Sequence, residues 1–335
     1  MQYVNLGKSG LKVSRLILGC MTYGSAQGWM IPDEEECFKQ LKYAYDRGIN
    51  TFDTANVYSF GQSEIILGKF LKKYNIPRES VVIMTKTYHP DNRDNKADMK
   101  APSGWTNLSA DESQQRIFAS VKNSLERLQL DYVDVIQCHR FDKDTPIEET
   151  MHALHDVVQS GLVRYIGMSS CWAWQFQILQ QYALHNKLTP FISMQNQHNA
   201  MYREEEREMM PTLEYFGVGS IPWGPLAAGL LCRPYAEPVQ SIRGVLREKS
   251  NQGAQETDKE IIDAVEVIAK RKGVTMAQIA LAWSLHNKYV CAPIIGINST
   301  ERLDDLIKAL DVQLSGEEIK SIEQGYLPQS IKGHT

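Results

Sequence analysis

Along this chain, short β-prone apolar runs alternate with longer segments whose apolar residues recur at three- and four-residue spacing. The runs predict strands at 15–19, 50–53, 81–86, 132–137, 163–168, 191–196, 217–222 and 290–295. The helical-period segments between them predict helices at 62–73, 112–128, 147–160, 173–186, 203–215, 259–272, 275–287, 300–310 and 316–324. An earlier helix opens at Pro32 with the acids Asp33, Glu34, Glu35 and Glu36 in its first turn, keeps Phe38, Leu41, Ala44 and Tyr45 on one face, and ends at Gly48. Residues 3–14, with Lys8-Ser9-Gly10 between two apolar segments, predict a hairpin ahead of the main fold. Eight strands, each followed by a helix, with no composition break or linker, predict one closed (β/α)8 TIM barrel spanning 1–335 as a single domain, in preference to a doubly wound sheet.

Two long polar connections interrupt the alternation, 87–110 and 224–258. Both follow strands, which predicts that both lie on the C-terminal face as lids or binding loops, against the plainer reading of tolerated insertions. With 335 residues, 43% of them hydrophobic, the chain is able to bury a large core. A net charge of −4 argues against a general nucleic-acid or anionic-membrane surface and points to small-molecule partners. The six cysteines form no C-x-x-C pair, which fits reduced thiols better than a disulfide framework or a zinc site. No leader pattern and no apolar run of roughly 20 residues is present, so a cytoplasmic protein is the expectation. Oligomeric state is not readable from the sequence.

Candidate chemistry collects at three strand ends. Phe52-Asp53-Thr54-Ala55-Asn56-Val57-Tyr58 ends one strand in an acid and carries a tyrosine five residues later; Met84-Thr85-Lys86 ends the next in a lysine; Gln137-Cys138-His139 ends a third in a histidine. Singly, these residues have plain readings: a turn or cap aspartate, a capping ring, a structural ion pair, a core histidine satisfied by backbone. Jointly, at matching ends of barrel strands, they read as a proton-transfer site. Familiar nucleotide motifs are missing. Gly217-Val218-Gly219-Ser220-Ile221-Pro222 ends in proline and is no Rossmann fingerprint, and Gly224-Pro225-Leu226-Ala227-Ala228-Gly229 has Leu230 where a P-loop needs lysine. His152 and His155 lack a third ligand, so no metal site is expected.

Five segments in order, 50–58, Met84-Thr85-Lys86, 131–139, 161–170 and Pro293-Ile294-Ile295-Gly296, resemble the aldo-keto reductases over residues 13–310. Met194-Gln195-Asn196 and Tyr202-Arg203-Glu204 resemble the fungal aryl-alcohol dehydrogenase-like and versiconal-hemiacetal-acetate-reductase-like branch. The resemblance implies NADPH-dependent reduction of a carbonyl to an alcohol. Tyr58 would be the general acid, Lys86 its activating cation, Asp53 the partner holding Lys86, and His139 a hydrogen-bonding group for the substrate oxygen. A free tyrosine titrates about three units above neutrality, hence the need for Lys86.

The resemblance also implies an extended cofactor site beginning with Gly19, Met21 and Asp53. Ser169 and Gln195 would hold the carboxamide, with Ser170 in place of a more usual asparagine, and Trp223 would stack on the nicotinamide. Gly224, Pro225, Leu226, Gly229 and Leu230 would approach the pyrophosphate by their backbone, with Arg243 in the segment folding over it. Gly296, Asn298, Arg302 and Asp305 would hold the adenosine ribose and its 2′-phosphate. A guanidinium at Arg302 suits a phosphate dianion and favours NADPH over NADH. Trp29, Tyr88 and Arg140 would face an aryl or apolar substrate. The short tail after Leu327 is expected to contribute little to closing the pocket. Two rival readings are a cofactor-reading sensor module with slow turnover, like the channel-associated β subunits of this fold, and a metal-dependent barrel hydrolase.

Overall fold

The computed structural model of the chain describes residues 1–89, 110–238, 244–245 and 255–334. The predicted hairpin forms from β1 (Tyr3–Asn5) and β2 (Lys12–Ser14), paired antiparallel through Val4 and Val13. Leu6 and Val13 share a buried cluster with Ile17, Val82, Met84, Val135, Ile221 and Ile294, so the hairpin plugs the bottom of the sheet that follows.

That sheet contains β3 (Ile17–Gly19), β4 (Thr51–Asp53), β5 (Val82–Thr87), β6 (Val133–Cys138), β7 (Val163–Ser169), β8 (Phe191–Gln195), β9 (Gly219–Ser220) and β10 (Ile294–Ile295), all parallel, in the order β10-β3-β4-β5-β6-β7-β8-β9. Bridges Ser220–Val290 and Trp223–Ile294 join its two edges. Cys291 N–H donates to Ser220 O at 2.8 Å and Ile294 N–H to Pro222 O at 2.9 Å, which closes the barrel. The last two strands are shorter than the predicted 217–222 and 290–295. Pro222 and Pro293 lack the N–H groups a longer ladder needs.

Helices α1 (Glu34–Asp46), α2 (Gln62–Lys73), α3 (Ala110–Leu128), α4 (Ile147–Gln159), α5 (Ala173–His185), α6 (Met209–Phe216), α7 (Lys259–Lys272), α8 (Met276–His286), α9 (Thr300–Ile307) and α10 (Gly316–Glu323) wrap the barrel. Local chemistry explains their starts. Asp33 caps α1 by accepting from Glu35 N–H, and Thr275 caps α8 by accepting from Gln278 N–H. α6 is shorter than the predicted 203–215 because a helix running from residue 203 would require Pro211 to donate to Arg207 O. With Pro211 in its first turn, the missing N–H is one of the groups left free in any case. The preceding residues form a separate 3-10 turn, Glu204–Glu206.

The cofactor-side loop predicted at 224–258 begins as a turn at Ala227–Cys232 and packs on α8. Residues 90–109, 239–243 and 246–254 lie outside the described residues, so most of the first expected lid, the middle of the second and Arg243 fall there.

Helix packing is tight enough to dictate one glycine. A Cβ at Gly68 in α2 would sit 2.2 Å from Leu128 O at the end of α3. Alanine normally gains about 1 kcal/mol over glycine inside a helix, but here it must displace backbone. Gly68→Ala should therefore lower stability by about 1–3 kcal/mol in urea unfolding; a gain in stability would disprove the close approach.

Candidate active site

Parallel register brings the strand ends together. Asp53 pairs with Gly19 and Met84, Lys86 with Gln137, Thr87 with Cys138, and Ser169 with Gln195. Alternation along β5 sends Thr85 and Thr87 outward, to Glu64 of α2 and Ser120 of α3, and leaves Lys86 facing the barrel mouth. Lys86 is fully buried and uses all three of its donors: Asp53 Oδ2 at 2.5 Å, Thr54 O at 2.8 Å and Tyr58 Oη at 3.1 Å. Tyr58 is delivered by a 3-10 turn whose next residues, Ser59, Phe60 and Gly61, have φ of 46°, 56° and 87°. Positive φ at two residues with side chains is backbone strain, of a kind that concentrates at functional sites.

His139 completes the group. Its ring stands edge-on to Tyr58 with centroids 6.0 Å apart, and to His89 at 5.3 Å, while Tyr88 meets His89 edge-on at 5.2 Å. Burial, then the charges of Lys86 and Arg140, hold the His139 imidazole well below its ordinary pKa, so the ring is neutral at pH 7. Its Nδ1 is buried without a hydrogen-bond partner among the described residues. An unpaired acceptor there costs less than an unpaired N–H, which favours the proton on Nε2.

Burial pushes the Tyr58 phenol up, the charge and hydrogen bond of Lys86 pull it down, and Asp53 raises it again. The net direction is upward. Lys86 acts in the expected sense, yet desolvation wins and the phenol stays protonated across the neutral range. Lys86 itself is pushed down by burial, but Asp53 and Tyr58 more than compensate and keep it charged.

The expected cofactor residues line the adjoining mouth. Ser169 Oγ donates to Gln195 O at 2.7 Å, Ser170 N–H donates to Asn196 Oδ1 at 2.8 Å, and the Trp223 indole N–H donates to Ser170 Oγ at 3.4 Å. Ser170 holds φ at 44°. Gly224, Ala227, Ala228 and Gly229 have φ of 69°, 49°, 55° and 95°, and the turn closes on itself through Ala227 N–H to Gly224 O at 3.0 Å and Gly229 N–H to Leu226 O at 2.9 Å. A Cβ at Gly224, Gly229 or Gly296 would meet nothing within 4 Å, so these glycines open onto free space. Pro225 is buried, with Leu226 and Leu230 half-buried beside it. The bridge from Trp223 to Ile294 sets Gly296 beside this loop, followed by exposed Asn298 and Arg302 at the start of α9. This set fits an extended dinucleotide by its open space: glycine-bordered turns with room beside them, and an exposed guanidinium at a helix start.

Other expected residues are placed differently. The Asp305 carboxylate accepts from Thr275 Oγ1 at 2.8 Å and Gln278 Nε2 at 2.7 Å, bracing α9 against α8. Gly19 is required by contact, since a Cβ would lie 2.9 Å from Ile294 Cγ2. Met21 is half-buried just beyond it. Half-buried Trp29 donates its indole N–H to Gln27, and Arg140 bonds the His139 carbonyl at 2.6 Å.

Sequence reasoning gave no role to Gln137, Asn196, Glu205 or His89. Gln137 Nε2 donates to Asp53 Oδ1 and its Oε1 accepts from Gln195 Nε2, both at 2.9 Å. Gln195 Nε2 also donates to Asp53 Oδ1 at 2.9 Å. The two-residue period of β6 puts Gln137 and His139 on one face, which was the available signal. The tail expectation is overturned: a Cβ at Gly333 would lie 3.6 Å from Ser170 Oγ and 3.7 Å from Trp223 Cζ2, so the tail borders the site. A cleft of about 630 Å³ between residues 141–147 and Trp172, Trp174 and Gln175 lies outside the group around Lys86. Among the described residues, no group of three or more His, Cys, Asp or Glu is placed to share a metal ion, and no helix is long and apolar enough to cross a membrane.

Removing the ammonium strands the Asp53 carboxylate, 2% exposed, on two glutamine amides. Lys86→Met should cost about 3–5 kcal/mol in urea unfolding, and adding Asp53→Asn should restore most of it. Equal stability of the single variant and the parent would mean that Asp53 carries no buried charge.

The chain matches the Aldo/keto reductase family over residues 15–326. It is 47% identical to a versiconal hemiacetal acetate reductase of Aspergillus parasiticus, across 99% of this chain and 98% of that one. It is 46% identical to a putative aryl-alcohol dehydrogenase of Schizosaccharomyces pombe, across 99% and 97%, and 46% identical to an aldo-keto reductase of Alternaria alternata, across 99% and 93%. With this likeness and the barrel around Lys86, the chain belongs to the aldo/keto reductase family, oxidoreductases that act on carbonyl compounds with a nicotinamide dinucleotide.

Proposed function

We propose that this protein, as a single barrel domain over 1–335, reduces aryl or apolar aldehydes and ketones to alcohols with NADPH, Tyr58 being the general acid. The observation that carries the reading is the Lys86 ammonium divided between Asp53, Thr54 O and Tyr58 Oη, opposite a neutral His139. Bound NADPH supplies the hydride.

The residues of the chain do the rest. His139, with its proton on Nε2, donates to the carbonyl oxygen and sets its direction, and Tyr58 passes its phenolic proton to that oxygen as negative charge develops. Lys86 holds the resulting phenolate, and Asp53, fixed by Gln137 and Gln195, holds Lys86. Ser169, Ser170 and Gln195 orient the carboxamide, Trp223 backs the ring, and the turn made by Gly224, Pro225, Leu226, Gly229 and Leu230 leaves room for the pyrophosphate. Arg302 pairs with the 2′-phosphate, with Gly296 and Asn298 beside the ribose. Asp305 acts indirectly, by fixing α9 on α8. The edge-on rings of Tyr88, His89 and His139 form an aromatic wall suited to an aryl group, in line with the aryl-alcohol dehydrogenase name of one relative. Free cysteines fit a cytoplasmic setting.

Tyr58→Phe should retain NADPH binding and lose about 10²–10⁴-fold in kcat for aldehyde reduction. Because the phenol is shifted upward, the parent's reduction rate should be flat from about pH 6 to 9 and fall only as the phenol ionises at higher pH, whereas alcohol oxidation should rise with pH over that range. Loss of absorbance at 340 nm measures the first; an undiminished rate in Tyr58→Phe would exclude Tyr58 as the acid. Arg302→Ala should weaken NADPH about 10- to 100-fold and leave NADH nearly unchanged in direct titrations. Equal losses for both cofactors would remove Arg302 from the 2′-phosphate.

A further inference from the structure

The Tyr202-Arg203-Glu204 stretch, so far only a mark of resemblance, staples the segment after α10 to the barrel. Glu204 accepts from the Tyr326 hydroxyl and, at 2.9 Å, from Gln329 N–H. Gln329 Nε2 donates to Met201 O at 2.6 Å, and Lys332 N–H donates to Tyr202 Oη at 2.9 Å. These bonds steer the chain across the barrel mouth to Gly333 and His334.

There the segment reaches the edge between Ser170 and Trp223. Gly333, at φ 82°, faces Ser170 Oγ and Trp223 Cζ2, the indole carbon beside the N–H edge that bonds Ser170. The His334 side chain is 5% exposed, stands edge-on to Trp172 at 5.0 Å, and brings Nε2 to 3.0 Å from Glu205 Oε1, an ion-pair distance without hydrogen-bond alignment. Glu205 is 3% exposed, and its other oxygen accepts from Asn196 Nδ2. Asn196 in turn accepts from Ser170 N–H and, through its carbonyl, from Trp223 N–H at 2.9 Å. A continuous buried chain therefore runs from His334 through Glu205 and Asn196 to the strained backbone of Ser170.

We propose that residues 326–334 form a wall of the nicotinamide pocket, and that His334, acting through Glu205 and Asn196, is a positioning residue for the cofactor's carboxamide end. The inference rests on the NADPH reading above. Ser170 is small, and the space beside its side chain is closed by Gly333 rather than by a longer side chain of its own. The ring end of the cofactor would thus meet a surface contributed from outside the strand ends, whereas its adenosine end would not.

The test separates those two ends. Truncation after Ser330 removes Gly333 and His334 but keeps Tyr326 and Gln329 on Glu204 and Met201; His334→Ala and Glu205→Gln probe the inner link. NADPH binding is followed by quenching of tryptophan fluorescence, and binding of 2′,5′-ADP, which lacks the nicotinamide half, by calorimetry. All three variants should bind NADPH ~5- to 100-fold more weakly than the parent, while 2′,5′-ADP stays within about 2-fold. Unchanged NADPH affinity would overturn the proposal. Tighter NADPH binding would also overturn it, because the segment would then be occupying the ring's own place. Equal weakening of both ligands would overturn it as well, by revealing a general collapse of the mouth. A parent that binds neither ligand would sink the NADPH reading itself, a failure visible before any variant is made.

Discussion

A lysine ammonium with no exposure to solvent is the constraint on which the rest of the site depends. Taking such a charge out of water costs several kcal/mol, recovered only when geometry and partners are nearly complete. Lys86 meets that condition with a carboxylate, a carbonyl and a phenol, one for each N–H. The carboxylate is satisfied in its turn by Gln137 and Gln195. Each member is fixed by another, so in the proposed reaction the phenol would meet a carbonyl substrate from a position that needs no reorganisation.

Backbone conformation carries the complementary part. Ser59, Phe60, Ser170, Ala227 and Ala228 all hold positive φ, and all lie around the barrel mouth. Their strain is supported by neighbours with definite bonds: Asn196 holds Ser170, and Asn199 holds the Gly224 carbonyl at 2.9 Å. On the proposed reading, side chains govern the proton, while turns in unusual conformations shape the surface that would meet the cofactor.

Much of this was legible in the sequence because it follows short-range rules. Strand periodicity, the helix-opening acids after Pro32, and the polar residues ending apolar runs are local signals, and they placed Asp53, Tyr58, Lys86 and His139 at one mouth. What escaped was of two kinds. Some features are decided by a missing donor: Pro211, Pro222 and Pro293 shorten elements that hydrophobic pattern alone would extend. Others are contacts between distant parts of the chain. Gln137 looks like any polar strand residue until Asp53 and Gln195 are seen on either side of it. The link from Glu204 to Gln329 spans 125 residues, and no periodicity announces it. The direction of the Tyr58 shift was likewise unreadable, since it is set by how completely the mouth excludes water.

The closing of the barrel has a consequence for how the molecule comes into being. β3 finds its second neighbour only in β10, and the Arg15 guanidinium bonds Val290 O across 275 residues of sequence. Contacts of such separation carry a loop-closure cost and tend to form late. The first strand of the barrel, β3, must wait for the last, β10, before its second edge is paired. The phenol, the ammonium and the imidazole belong to strands made early and adjacent to one another, whereas the Gly296–Arg302 region exists as a surface only once the seam has shut. The proposed acid–base half of the site is thus born as a local structure, and the proposed nucleotide half as a product of topology.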